Sequence, residues 1–271
     1  MGIIYLLINK IKKIDTVAVT GATGFIGRGL ILYLLKHGIK IKAFLKDDKY
    51  KQSKYLLQEG VSVDVVGDLS SNQISKEKLA DVDYLVHLAS LAHLDLKKIN
   101  TKKDIINEAR KISINVATAA KNSGLKGLVF ISSIKVCGEK TTDFPFSEST
   151  SLNPKDDYGK AKLESENIIK SIYPDVIILR PPLVYGPYVK GNFRQLLNIV
   201  YKGFPLPIKS INNKRSFIYL YNLTDSILSV MSNEKSKGKT FLVSDLGTYS
   251  SFEIVSKVSK LLTGVNRTFK I

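Results

Sequence analysis

Residues 17–30 read VAVTGATGFIGRGL, and this stretch decides the fold. A short apolar run ends in Gly21, Gly24 and Gly27, evenly spaced by three, and a segment of helical periodicity follows as far as Lys36. A strand, a glycine turn and an amphipathic helix, in that order, form the context in which such a turn holds a dinucleotide pyrophosphate. Glycine lets the backbone bend sharply and come close to the phosphates, and the helix start offers free N–H groups and a partial positive charge. The spacing is G-x-x-G-x-x-G rather than G-x-G-x-x-G, so by itself it is also compatible with a bare tight bend.

Outward from this turn, strand and helix patterns alternate. Strands are expected at Thr16–Thr20, Ile39–Leu45, Val61–Val66, Asp83–Leu88, Gly127–Ile131 and Val176–Leu179, the last stopped by Pro181 and Pro182. Helices are expected at Phe25–Lys36, Ile99–Asn122 and Tyr158–Ile172, with Gly38 and Gly124 as stops. Repeated β-α-β order implies an α/β fold, a doubly wound parallel sheet with helices on both faces and ligands beyond the carboxyl ends of its strands. Residues 16–182 are expected to form this dinucleotide-binding domain. Residues 183–271, where alternation weakens, are expected to form a smaller substrate lobe with returning elements, and residues 1–15 an N-terminal extension.

Composition narrows the class. No apolar run is long enough to span a membrane, and GIIYLLI near the start lacks the flanks of a signal peptide. A single cysteine, Cys137, excludes an internal disulfide framework and fits the cytoplasm. His37, His87 and His93 are not spaced as metal ligands, so no metal is expected. The net charge of +17 comes from scattered lysines rather than clusters, which argues for a solvated surface over nucleic-acid binding.

Several residues suit cofactor and catalytic roles. Asp68, in VGDLSS, stands past the third strand, where its carboxylate could accept from an adenine amino group or cap a helix. The second strand ends in Leu45 and Lys46 rather than in the acidic residue that holds a ribose 2′-hydroxyl. Lys46 suits a 2′-phosphate, which tilts the expected cofactor from NAD toward NADP. In DDYGKAKLESENIIK, Tyr158 and Lys162 lie four apart, on one helix face. A neighbouring ammonium lowers a phenol pKa from about 10 toward the range a general base needs. Ser133, in LVFISSIKVCGE, ends a strand at the sheet's carboxyl edge and could bring a hydroxyl to the same pocket; loop capping is the alternative.

TGATGFIG, SSIKVCG, YGKAK and RPPLVYGP, in this order and spacing, resemble the extended short-chain dehydrogenase/reductase superfamily, in its NAD-dependent epimerase/dehydratase branch, over residues 16–265. The resemblance implies a Rossmann-type fold. It assigns Gly21, Gly24, Phe25, Ile26 and Gly27 to the pyrophosphate and Asp68 and Leu69 to the adenine. Lys46 falls at the cofactor ribose, Ala89 packs near the cofactor, and Pro181 borders the nicotinamide. Ser133 would orient the reacting sugar oxygen, Tyr158 move its proton, and Lys162 bind the nicotinamide ribose. Asn192 and Arg215 would grip the substrate diphosphate, a surface ion pair being the alternative for Arg215. Asn115 matches a frequent family asparagine or is a plain helix-surface amide.

Departures narrow the reaction. Dehydratases of the family carry Asp-Glu just after the catalytic hydroxyl; here Ile134 and Lys135 stand there. Cys137 lies four past Ser133, not directly after it as in 3,5-epimerising reductases, and reads as a buried small residue. What remains is C4 redox on a UDP-sugar for surface polysaccharides: 4-epimerisation, or reduction of a 4-keto-6-deoxy sugar. The subgroup also implies a homodimer pairing two helices from each copy and a longer C-terminal lobe. A truncated, catalytically impaired dinucleotide-binding protein is therefore the alternative expectation.

Overall fold

The strand that precedes the glycines is apolar on both faces, as a central parallel strand must be: Val17, Ala18 and Val19 are fully buried. In the computed structural model, which describes residues 14–48, 53–89, 102–141, 144–211, 213–265 and 268–269, this is β1 (Thr16–Thr20). Helix α1 (Phe25–Lys36) returns over the sheet with Leu30, Ile31 and Leu34 buried, and stops where Gly38 takes φ +74°. Then come β2 (Lys40–Leu45), β3 (Val61–Val65), β4 (Tyr84–His87), α2 (Lys102–Ser123), β5 (Gly127–Ile131), α3 (Asp157–Ile172) and β6 (Ile177–Arg180).

The expected elements thus form, with ends moved by a residue or two. The stretch 99–101, placed in the long helix by its pattern, lies outside the described residues, as do His93 and residues 1–13 of the expected extension.

The chain packs as two units. The first comprises Met1–Pro181 and Thr224–Val243, the second Pro182–Leu223 and Ser244–Ile271. In the first, β9 (Thr240–Leu242) joins a seven-stranded sheet of order β3-β2-β1-β4-β5-β6-β9 in which every pairing is parallel. Order reverses between β1 and β4, which makes the crevice beyond their carboxyl ends the place for a ligand. One apolar layer fills the space between the sheet and α2 and α3: Leu85, Leu128, Phe130 and Ile178 from strands, Val116, Ala120 and Ile169 from helices.

In the second unit, β7 (Leu183–Tyr185) pairs in parallel with β8 (Phe217–Tyr219). Helix α4 is Gly191–Tyr201, α5 (Leu220–Met231) follows β8 and from Thr224 onward belongs to the first unit, and α6 is Ser251–Thr263. Helix α6 is closed at both ends, by a capping box between Ser250 and Glu253 and by Gly264 in the left-handed region.

Candidate active site

The glycine turn lies at the crevice between β1 and β4. Gly21 takes φ +71°, and a Cβ there would stand 2.7 Å from Ala89 N, just past the end of β4. A Cβ on Gly27 would come within 2.3 Å of Gly21 O, so only glycine lets α1 close on the turn. Gly24 is the N-cap of α1, with no side-chain cap and no acidic residue in the first turn. The helix therefore presents N–H groups and its positive end without a carboxylate of its own to meet them. A pyrophosphate fits this cradle, and Gly21, Gly24, Phe25, Ile26 and Gly27 are the residues that could hold it.

At the other end of the crevice, Asp68 starts no helix. Its Oδ1 accepts from Ser70 N (2.9 Å) and Ser70 Oγ (2.8 Å), closing a tight turn, and its Oδ2 takes Lys46 Nζ at 2.5 Å. The Lys46 bond first, then the Ser70 N–H, hold its carboxyl down at about 2. Leu69 is buried behind it. Asn115 is more than a surface amide: from α2 its Nδ2 donates to Leu69 O at 2.8 Å, pinning the turn that offers Asp68. Ala89 N donates to Thr20 Oγ1 at 3.4 Å, which ties the end of β4 to that of β1.

The catalytic candidates come from β5, α3 and β6. Ser133 follows β5 and caps a 3-10 turn, Ile134–Val136, accepting from Lys135 N. Tyr158 lies half-buried in the first turn of α3, which Asp156 caps through Gly159 N at 2.7 Å. Lys162, one turn on, is only 7 % exposed; its Nζ donates to Ile131 O (2.8 Å) and lies 4.7 Å from the Phe130 ring centroid. Burial pushes its ammonium down to about 8, opposed by the carboxylate of Glu166. Pro181 O accepts from Ile134 N at 2.9 Å, so the strand end expected at the nicotinamide is bound to the serine loop.

In the second unit, Asn192 is exposed in the first turn of α4. Arg215, also exposed, pairs antiparallel with Tyr249 through its backbone and makes no ion pair among the described residues.

Residues 17–244 match the family described as NAD dependent epimerase/dehydratase. The chain belongs to that family. It is 35% identical over 256 residues to UDP-glucose 4-epimerase of Vibrio cholerae, covering 92% of this chain and 76% of that one. The crystal structure of UDP-N-acetylglucosamine 4-epimerase from Bacillus cereus shares the fold with a TM-score of 0.79 at 20% identity, over 95% of this chain and 85% of that one. UDP-glucuronic acid 4-epimerase from Bacillus cereus, solved in complex with NAD, does so with a TM-score of 0.79 at 22% identity, over 94% and 86%. The tilt toward NADP finds no support in these comparisons with an NAD-dependent family, and in the structure the Lys46 ammonium is engaged by Asp68.

Around the candidate site of this epimerase/dehydratase family member, the sequence reading missed three buried polar groups. Glu166 and Arg180 form a two-pronged ion pair, Nε to Oε1 at 2.9 Å and Nη2 to Oε2 at 2.6 Å, both almost wholly buried. Cys137 sits beside them as a buried thiol that burial pushes up, its Sγ accepting from Arg180 Nη1 at 3.9 Å. Two signals were available: Glu166 continues the series 158, 162, 166 on one helix face, and Arg180 ends an otherwise apolar strand. The third group, His87, is hydrogen bonded to Thr20 Oγ1 at 2.7 Å and stacks on Phe130. Burial first, then the Lys162 charge, push it down to about 3, so it is neutral beneath the crevice. Among the described residues no His, Cys, Asp and Glu group could hold a metal, and no helix is long and apolar enough to cross a membrane.

Proposed function

We propose that this chain is an NAD-dependent 4-epimerase of UDP-sugars, with Tyr158 as the acid–base residue. The observation that carries this is the Lys162 ammonium, buried one helical turn from Tyr158, with the Ser133 loop packed against the same helix start. The 35% identity to a UDP-glucose 4-epimerase supports C4 as the reacting carbon.

When bound, the nicotinamide supplies a reversible two-electron acceptor. Gly21, Gly24, Phe25, Ile26 and Gly27 would hold the pyrophosphate, Asp68 and Leu69 the adenine, Ala89 and Pro181 the flanks of the nicotinamide half. Tyr158 Oη takes the proton of the sugar C4 hydroxyl and later returns it. Lys162 stabilises the phenolate that exists before the proton is taken and again after it is returned, and Ser133 Oγ orients the sugar oxygen. Asn192 and Arg215 bind the diphosphate, Arg215 with a planar fork suited to phosphate oxygens. The chain's net charge of +17 favours an anionic sugar nucleotide. Cytoplasmic placement keeps Cys137 a thiol. A relative from Escherichia coli O157:H7, 24% identical, is a 4-epimerase of a sugar-diphospho-undecaprenol, which supports a role in surface polysaccharide synthesis. In a dimer, α2 and α3, which pack on each other, are the faces expected to meet their copies.

The test is incubation of the purified protein and NAD with UDP-glucose or UDP-N-acetylglucosamine, followed by NMR of the sugar. Interconversion of C4 epimers is expected, and Tyr158→Phe should slow it by about a hundredfold or more while leaving NAD affinity intact. Undiminished turnover in Tyr158→Phe overturns the assignment. A product heavier by two hydrogens, formed from a 4-keto-6-deoxy UDP-sugar and reduced cofactor only, identifies a reductase instead.

A further inference from the structure

Ser133 and Tyr158 come from segments far apart in sequence, and little in the local chain fixes their spacing. Three parts of Lys135 meet both segments. Its N–H donates to Ser133 Oγ at 3.3 Å. Its carbonyl oxygen stands 2.8 Å from where a Cβ on Gly159 would be, so the first turn of α3 rests on the serine loop only because position 159 has no side chain. Its ammonium bonds Asp156 Oδ2 and, at 3.1 Å, Glu139 Oε1. Asp156 divides its oxygens, one to this ammonium and one to the Gly159 N–H that starts the helix carrying Tyr158. A backbone bond from Asn153 N to Val136 O, 3.0 Å, runs alongside.

We propose that Lys135 is a positioning residue: its bridge to Asp156 locks the serine loop to the first turn of α3 and so sets the spacing of Ser133 and Tyr158. This rests on the acid–base role proposed for Tyr158. Lys135 replaces the acidic residue that dehydratases of the family are expected to carry there, so the position that would shuttle a proton is used here to hold two others in register. Both partners are partly exposed, at 41% and 38%, so the bridge contributes little to global stability. A small loss of alignment between reacting groups is nonetheless felt strongly in turnover.

The experiment compares wild type with Lys135→Met, Asp156→Asn, the double variant and Lys135→Arg. Asparagine keeps the oxygen that caps the helix and removes only the charge. Three readouts are taken: kcat and KM for C4 epimerisation of UDP-glucose, melting temperature, and hydrogen exchange of NAD-free protein over segments 132–139 and 153–160. Either single variant is expected to lower kcat about tenfold or more with KM and melting temperature little changed. The double variant should be no worse than the singles, and arginine should restore most of the rate. In the NAD-free variants both segments should exchange faster together. Additive losses, a rise in KM alone, or unchanged exchange with unchanged kcat would overturn the lock. If wild type turns over no UDP-sugar while the two segments still loosen together, the lock stands and the epimerase assignment falls.

Discussion

Replacing Lys162 by methionine tests the physical basis of the site. The side chain keeps its length and loses its charge. Lys162 is 7 % exposed, and burial takes its pKa from 10.5 to about 8. Its folded pKa is therefore depressed, so between about pH 8 and 10.5 the folded state holds fewer protons than the unfolded one, and stability rises as pH climbs through that window. Below about pH 8 the full penalty applies, and at about 1.4 kcal/mol per pH unit it amounts to about 3 kcal/mol. Methionine has no such dependence. It also gives up the bond to Ile131 O, a cost that does not change with pH. The stability difference between variant and wild type should therefore move by at least about 1 kcal/mol in favour of wild type from pH 7 to pH 9, whatever that fixed cost is. The assay is urea unfolding of NAD-free protein at both pH values, with turnover as a control that the variant loses. A difference that stays flat across this range would refute the burial of a charged Lys162.

Three further outcomes follow from particular contacts. Glu166→Gln leaves the buried Arg180 guanidinium without its counter-charge and should cost about 3–5 kcal/mol in urea unfolding, with most of the loss recovered when Arg180→Met is added; a loss below about 1 kcal/mol would mean the pair is hydrated. Gly27→Ala drives a methyl into Gly21 O and Ala22, and should both destabilise the protein by about 1–3 kcal/mol and abolish NAD binding measured by calorimetry. Asn115→Ala removes the donor to Leu69 O, worth about 1 kcal/mol, and should weaken NAD about fivefold while leaving nicotinamide mononucleotide, which has no adenine, unaffected.

The first unit was legible because its strands are long enough for apolar runs to stand out and its helices long enough for a period to show. Phe25–Lys36 and Gly127–Ile131 run between the residues the pattern gave them. In the second unit and its return the strands β7, β8 and β9 are three residues each, too short for any period, and β7 is bracketed by Pro181, Pro182, Gly186 and Pro187, which read as loop. At the candidate site, placements set by backbone or helix geometry were readable: the close glycine turn from its spacing, and Tyr158 and Lys162 one turn apart on α3 from theirs. Residues defined by a distant partner were not. Lys46 suggested a phosphate ligand because its approach to Asp68, 22 positions on, is created only when β2 and β3 pair. Asn115 likewise gains its meaning from Leu69, 46 residues away.

The buried charges beneath the site form a consistent set once their donors are counted. In the role proposed for it, Lys162 must keep N–H groups directed at the reaction, and it has three. One goes to Ile131 O. Glu166, one turn along the same helix face, is the carboxylate best placed to claim the others. Arg180 holds that carboxylate from its own strand, its planar fork bonding both Glu166 oxygens, at 2.9 and 2.6 Å. Glu166 then acts on Lys162 only through space, raising its pKa against burial without turning its ammonium away. Arg180 also leads into Pro181, whose carbonyl holds the Ser133 loop. The same strand end thus bonds both the carboxylate that opposes burial at Lys162 and the Ser133 loop, a setting for a fully buried ion pair where an apolar pair of similar volume would be no less stable.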